Sequence, residues 1–74
     1  MTLAQLAIGQ RARVAQIDGA DELSVRLLEM GLIPGTDVML IGAAPLGDPL
    51  ELEVRGYRLS VRKSEAARVM IDPA

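Results

Sequence analysis

The chain has 74 residues with eight Lys and Arg against ten Asp and Glu, a net charge of −2, no Cys, no His, and Tyr57 as its single aromatic residue. Such a composition excludes disulfides and the thiolate and imidazole ligands of most transition-metal sites, and its length leaves room for one domain, residues 1–74, around an aliphatic core. Acidic and basic residues read as interspersed, so no electrostatic footprint for nucleic acid is expected, and no stretch can span a bilayer or serve as a signal segment, which predicts a cytoplasmic chain that is not membrane-inserted.

Thr2 and Gln5 have capping-box spacing, with Leu3 and Leu6 on one side, and predict a helical turn ended by Gly9. Residues 10–17 predict a strand in which Val14 and Ile17, three apart, break strict alternation and require a bulge or bend. After an Asp18-Gly19 turn, Asp21 is placed to cap a helix over residues 22–30. At about 100° per residue, Leu23, Leu27 and Met30 form its buried stripe, Glu22, Arg26 and Glu29 face away, and Val25 and Leu28 fall between the two faces. Glu22 and Arg26 are spaced to pair at i,i+4. Gly31 suits the left-handed position that ends the helix, with Leu32 folding back on Leu27, and Pro34-Gly35 suits the centre of a type II turn.

Residues 36–42 predict a strand that is apolar on both faces in its second half, as expected near the centre of a barrel or beneath another element. The segment from Ala44 to Pro49 predicts an irregular loop in which Asp48 is held extended by the proline after it. Beyond it, Leu50, Leu52 and Val54 alternate with Glu51, Glu53 and Arg55, and then Tyr57, Leu59 and Val61 alternate with Arg58, Ser60 and Arg62. The parity switch across Arg55-Gly56 predicts a two-residue hairpin that sets Glu53 opposite Arg58. Ser64 is placed to cap one turn through Glu65-Ala66-Ala67, and Val69 and Ile71 predict a last strand closed off by Pro73. Five short strands and one sizeable helix suit a small closed or nearly closed barrel, a mainly β fold.

Three stretches then carry a resemblance: Arg26-Leu27-Leu28-Glu29-Met30-Gly31-Leu32-Ile33-Pro34-Gly35, Ala44-Pro45-Leu46-Gly47-Asp48-Pro49, and residues 54–66 from Val54 to Ala66. Together with the opening Leu3 to Gln10, and in this order and spacing, they resemble the FeoA family of bacterial ferrous iron uptake. The resemblance implies an SH3-like barrel of about five strands with one α-helix inserted between the first and second. It also implies an accessory or regulatory role beside a FeoB-type permease, a membrane protein with a cytoplasmic GTPase domain. Similar domains end metal-dependent repressors, so a regulatory module acting on another protein is the alternative reading; this chain has no room for the DNA-binding and dimerisation parts.

The residues themselves favour binding over catalysis. No His or Cys stands ready as base or nucleophile, and no P-loop glycine pattern cradles a phosphate. Leu27, Met30 and Leu32 read as core, and Gly31, Pro34, Gly35, Pro45, Pro49 and Gly56 as backbone devices. Recognition then falls to Val25, Arg26, Leu28 and Glu29 on the helix. The Pro45 to Pro49 loop is either a rigid connector or a recognition edge from which Leu46 and Asp48 project. Asp48, Glu51 and Glu53 lie close in sequence, but surface carboxylates alone hold ferrous ion weakly and without selectivity, so no metal site and no cofactor are assigned. A nucleic-acid barrel would need stacking aromatics and a basic groove.

Overall fold

Residues 1–73 are described by the computed structural model. Five strands form one antiparallel sheet in the order β4-β3-β2-β1-β5, with β1 at Arg11–Ile17, β2 at Asp37–Ala43, β3 at Leu50–Val54, β4 at Tyr57–Val61 and β5 at Val69–Pro73. Helix α1, Glu22–Glu29, is inserted between β1 and β2, and a four-residue helix α2, Lys63–Ala66, joins β4 to β5. This is the mainly β arrangement predicted, with one difference: the hydrogen-bonded sheet stays open between β4 and β5. The outer edge of β5 is instead covered by the start of the chain, where Thr2 bridges Met70 and Ile71 N–H donates to the Met1 carbonyl at 3.0 Å.

Local chemistry explains most element boundaries. Asp21 caps α1 by accepting the Ser24 N–H at 3.2 Å. At the other end Leu32 N–H reaches the Leu27 carbonyl (3.1 Å) and Gly31 N–H the Leu28 carbonyl (3.0 Å), the paired bonds of a Schellman stop, with Gly31 at φ +110°. Thr36 N–H then closes the Pro34-Gly35 turn on the Ile33 carbonyl at 3.0 Å. In β1 the register against β5 shifts between Val14 and Gln16, which is the bulge the broken alternation requires. The hairpin pairs Val54 with Tyr57 and Glu53 with Arg58 across Arg55-Gly56, whose φ values of 51° and 84° are those of a type I′ turn.

The core is aliphatic: Leu3, Leu27, Leu32, Leu52, Val14, Val54, Val61 and Val69 are its largest fully buried side chains. Each such side chain contributes about 1.5–3 kcal/mol through burial, so the sheet and α1 are held mainly by this cluster. Ser24 and Thr36 are the buried polar residues, and Ser24 Oγ donates to the Asp21 carbonyl at 2.7 Å. Every buried side-chain nitrogen or oxygen among the described residues has a partner, as a low-dielectric interior demands.

Several local expectations are corrected by tertiary contacts. Arg26 pairs with Glu65 at 3.4 Å rather than with Glu22, because Glu65 is largely buried and held in place by accepting the Arg62 N–H, whereas Glu22 stands in solvent. Helix α2 is capped by Arg62 in extended conformation, with Ser64 inside the helix, because the Glu65 and Asp48 carboxylates already take its first free N–H groups. Leu23 and Met30 are half-buried while Ser24 is buried, so the sheltered stripe of α1 is centred on Leu27 and includes a serine. Tyr57 lies on the surface, where its hydroxyl donates to the Met30 carbonyl at 2.9 Å. The Ala44 to Pro49 loop is ordered as a hydrogen-bonded turn at Pro45–Gly47, and β2 carries a second bulge between Leu40 and Gly42.

Candidate docking site

Two depressions meet at one side chain. The first lies along the outer face of α1 and is lined by Ala20, Asp21, Glu22, Val25, Arg26 and Glu29. A second, more polar one is lined by Arg26, Asp48, Pro49, Ser60, Arg62 and Glu65. Arg26 therefore stands on the ridge between them, tied to α2 through Glu65. Val25 is 52% exposed and Leu28 39% exposed, so α1 offers two apolar side chains to solvent beside the charges of Arg26 and Glu29.

The N-terminus of α1 is fixed by a bidentate contact in which Arg68 donates to both carboxylate oxygens of Asp21, at 2.7 and 3.0 Å, and to the Asp18 carbonyl. Arg68, and then the Ser24 N–H, hold the Asp21 carboxyl at about 2 from its ordinary 3.8. The same contact raises Arg68. The guanidinium also occupies the space where a side chain at Gly19 would lie. The helix face is thus presented on a rigid mount and not on a frayed end.

The loop between β2 and β3 is built as a type II turn. Gly47 N–H closes on the Ala44 carbonyl at 2.8 Å, Pro45 takes the first central position, and Leu46 takes the second at φ 75°, ψ 4°. That second position ordinarily belongs to glycine, because a Cβ there crowds the following carbonyl by roughly 1–2 kcal/mol. Leu46 is also the most exposed large apolar residue described, at 105% of its reference area. The carboxylate of Asp48 turns inward along the chain to accept the Lys63 N–H at 2.9 Å, and Ala44 N–H donates to the Pro49 carbonyl at 2.9 Å.

The structure thus brings Val25, Arg26 and Glu29 together on one groove and Arg26 with Asp48 on the other, while Leu28 and Leu46 stand outside both linings. Glu65, Arg62 and Ser60 join the site with no periodic signal to mark them. One signal was available for the cations: between Arg55 and Lys63 the sequence holds four of its eight basic residues and no carboxylate. The charges are therefore less evenly interspersed than composition suggests. Glu51 and Glu53 stand opposite Ser60 and Arg58, and among the described residues no three His, Cys, Asp or Glu side chains converge. No helix in this structure is long and apolar enough to cross a membrane.

The FeoA domain family model matches residues 1–73. A curated relative, the Fe(2+) transport protein A/Fe(2+) transporter FeoB fusion protein of Porphyromonas gingivalis, is 31% identical over 72 residues; the match covers 97% of this chain and 8% of the fusion. The solution structure of iron(II) transport protein A from Clostridium thermocellum superposes with a TM-score of 0.92 at 32% identity, over 99% of this chain and 45% of that one. Stenotrophomonas maltophilia FeoA, a prokaryotic SH3 domain protein solved with zinc, gives 0.85 at 34% identity, over 97% and 89% of the two chains. The fold alone extends to the IdeR of T. acidophilum, at 23% identity and a TM-score of 0.86 over 34% of that chain.

Proposed function

The chain belongs to the FeoA family of ferrous iron transport, and from that premise we propose that it is a cytoplasmic, non-catalytic accessory protein that binds a FeoB-type permease. The observation that carries this reading is the fusion relative, in which an FeoA segment and the FeoB transporter are one polypeptide. Nature joins chains that work at close quarters, and a tether raises the local concentration of one module at the other. The outward face of α1 is the docking surface this reading selects. Val25 and Leu28 supply apolar area, and Arg26 and Glu29 supply charges that set orientation. The alternative, a module acting on a metal-dependent regulator, rests on likeness of fold alone.

Co-purification of the tagged protein with the permease from the same cells tests the proposal. Leu28→Glu and Glu29→Arg should each reduce recovery of the permease by about tenfold, since both put a charge where the partner has no matching group. Unchanged ferrous uptake in cells lacking the protein would sink it.

A further inference from the structure

The two edges of the sheet are treated differently. Along β5 the chain covers its own edge with Met1 and Thr2. Among the described residues nothing pairs along the outer edge of β4: it is the last strand in the sheet, with β3 as its one neighbour. In the type I′ hairpin the closing pair Val54 and Tyr57 exchanges both ladder bonds, so Tyr57, Leu59 and Val61 direct their backbone groups at β3, while Arg58 and Ser60 direct theirs outward. Both residues are exposed. The edge is short, but its N–H and C=O groups are in the geometry that takes up another strand.

The side chains along this edge have one sign. Arg58 stands across from Glu53, yet among the described residues no carboxylate lies within 4.0 Å of the guanidinium of Arg58 or of Arg62. Arg62 and Ser60 also line the depression that Arg26 shares with α2. Cations on an edge are a common device against self-pairing. Here a second copy of β4 would set Arg58 and Arg62 of both copies along one seam, which like-charge repulsion opposes. A strand of opposite sign meets the reverse condition.

We infer that the free edge of β4 is a strand-addition site for an extended acidic segment of another protein. The residue of that segment opposite Arg58 and the one that reaches the Arg62 guanidinium beyond the end of β4 are acidic, and the alternate ones are apolar, because they fall on the side of half-buried Leu59 and of Tyr57. Backbone pairing to Arg58 and Ser60 supplies the attachment and the arginines supply the choice of partner. This edge adjoins the outer face of α1 at the depression lined by Arg26, Ser60 and Arg62, but strand pairing to it does not depend on docking at α1 and holds whichever protein carries the segment.

The test is an amide-shift titration of the labelled protein with a blocked alternating Glu-Val octapeptide and, in parallel, its Lys-Val counterpart. The acidic peptide should shift the Arg58 and Ser60 amides first and slow their exchange with solvent; the basic peptide should not. Ser60→Pro deletes an outward N–H without touching the ladder to β3, so this variant should keep its remaining spectrum and lose the peptide. Arg58→Glu with Arg62→Glu should weaken the acidic peptide by about tenfold, near the upper range for two exposed charge contacts, and admit the basic one. Absence of shifts at millimolar peptide, shifts confined to α1, undiminished binding by Ser60→Pro, or concentration-dependent pairing of the protein with itself through β4 would each overturn the inference.

Discussion

The carboxylate of Asp48 accepts the backbone N–H of Lys63 at 2.9 Å, so the loop that leads into β3 caps a helix fifteen positions later in the chain. The contact ties the strained turn at Leu46 to α2 and, through Glu65, to Arg26 on α1. Loop, short helix and long helix are joined by two polar contacts, in addition to the core that Leu27 and Ala66 share. Asp48→Ala should therefore cost about 1 kcal/mol, the usual worth of a side-chain cap, and lower the melting temperature by roughly 4–8 °C for a domain of this size. Asp48→Asn keeps an acceptor and should recover most of that loss. Equal thermal melts for the alanine variant and the parent would show that the cap contributes nothing.

Leu46 holds a conformation that glycine adopts freely while exposing its whole side chain. Leu46→Gly should stabilise the fold by about 0.5–1 kcal/mol, the relief of left-handed strain less the added freedom of the unfolded chain. If the exposed leucine is kept for recognition, the same variant should recover less permease on co-purification. A variant that is more stable and binds as well would assign the residue no role in docking.

Stability should fall in acid through Asp21. Its carboxyl sits at about 2 in the folded chain against its ordinary 3.8 when unfolded. Being depressed on folding, it contributes fully above pH 4 and progressively less as pH falls from 4 to 2. Urea midpoints of the parent and of Asp21→Asn, which keeps a capping oxygen but not the charge on Arg68, should differ at pH 6 and converge near pH 2. A gap that is constant across that range would remove Asp21 as the source.

A side chain at Gly31 would press on the Tyr57 hydroxyl, and the residue is at φ +110°. Gly31→Ala should cost about 1–3 kcal/mol. Tyr57→Phe alone should cost about 0.5–1.5 kcal/mol for the lost bond to Met30. In the Tyr57→Phe background Gly31→Ala should cost less than in the parent, because the hydroxyl is gone while the backbone strain remains. Strict additivity in chemical denaturation would mean that the hydroxyl and the new methyl never meet.

What was legible in the sequence is what repeats or is local. The register of Glu53 on Arg58 followed from a change of parity, the stop at Gly31 from Gly31, Leu32 and Pro34, and the bulge after Val14 from a broken alternation. The charge partners were not legible. Arg26 had a neighbour at helical spacing and chose Glu65, thirty-nine positions away, and Asp48 was spent on Lys63, because a carboxylate held by the fold loses less freedom on pairing than one waving in solvent. The left-handed Leu46 was hidden for a different reason: local preference argues against it, and only the turn closing on Ala44 imposes it.

Thr2 and Met70 are bridge partners, which places the two ends of the described fold side by side on the rim of β5. A domain with its entrance and exit at one place can be joined to a larger polypeptide through that place alone. The outer face of α1 and the outer rim of β4, which that junction does not use, then keep the same freedom to meet a partner whether the domain travels by itself or as a passenger in a longer chain.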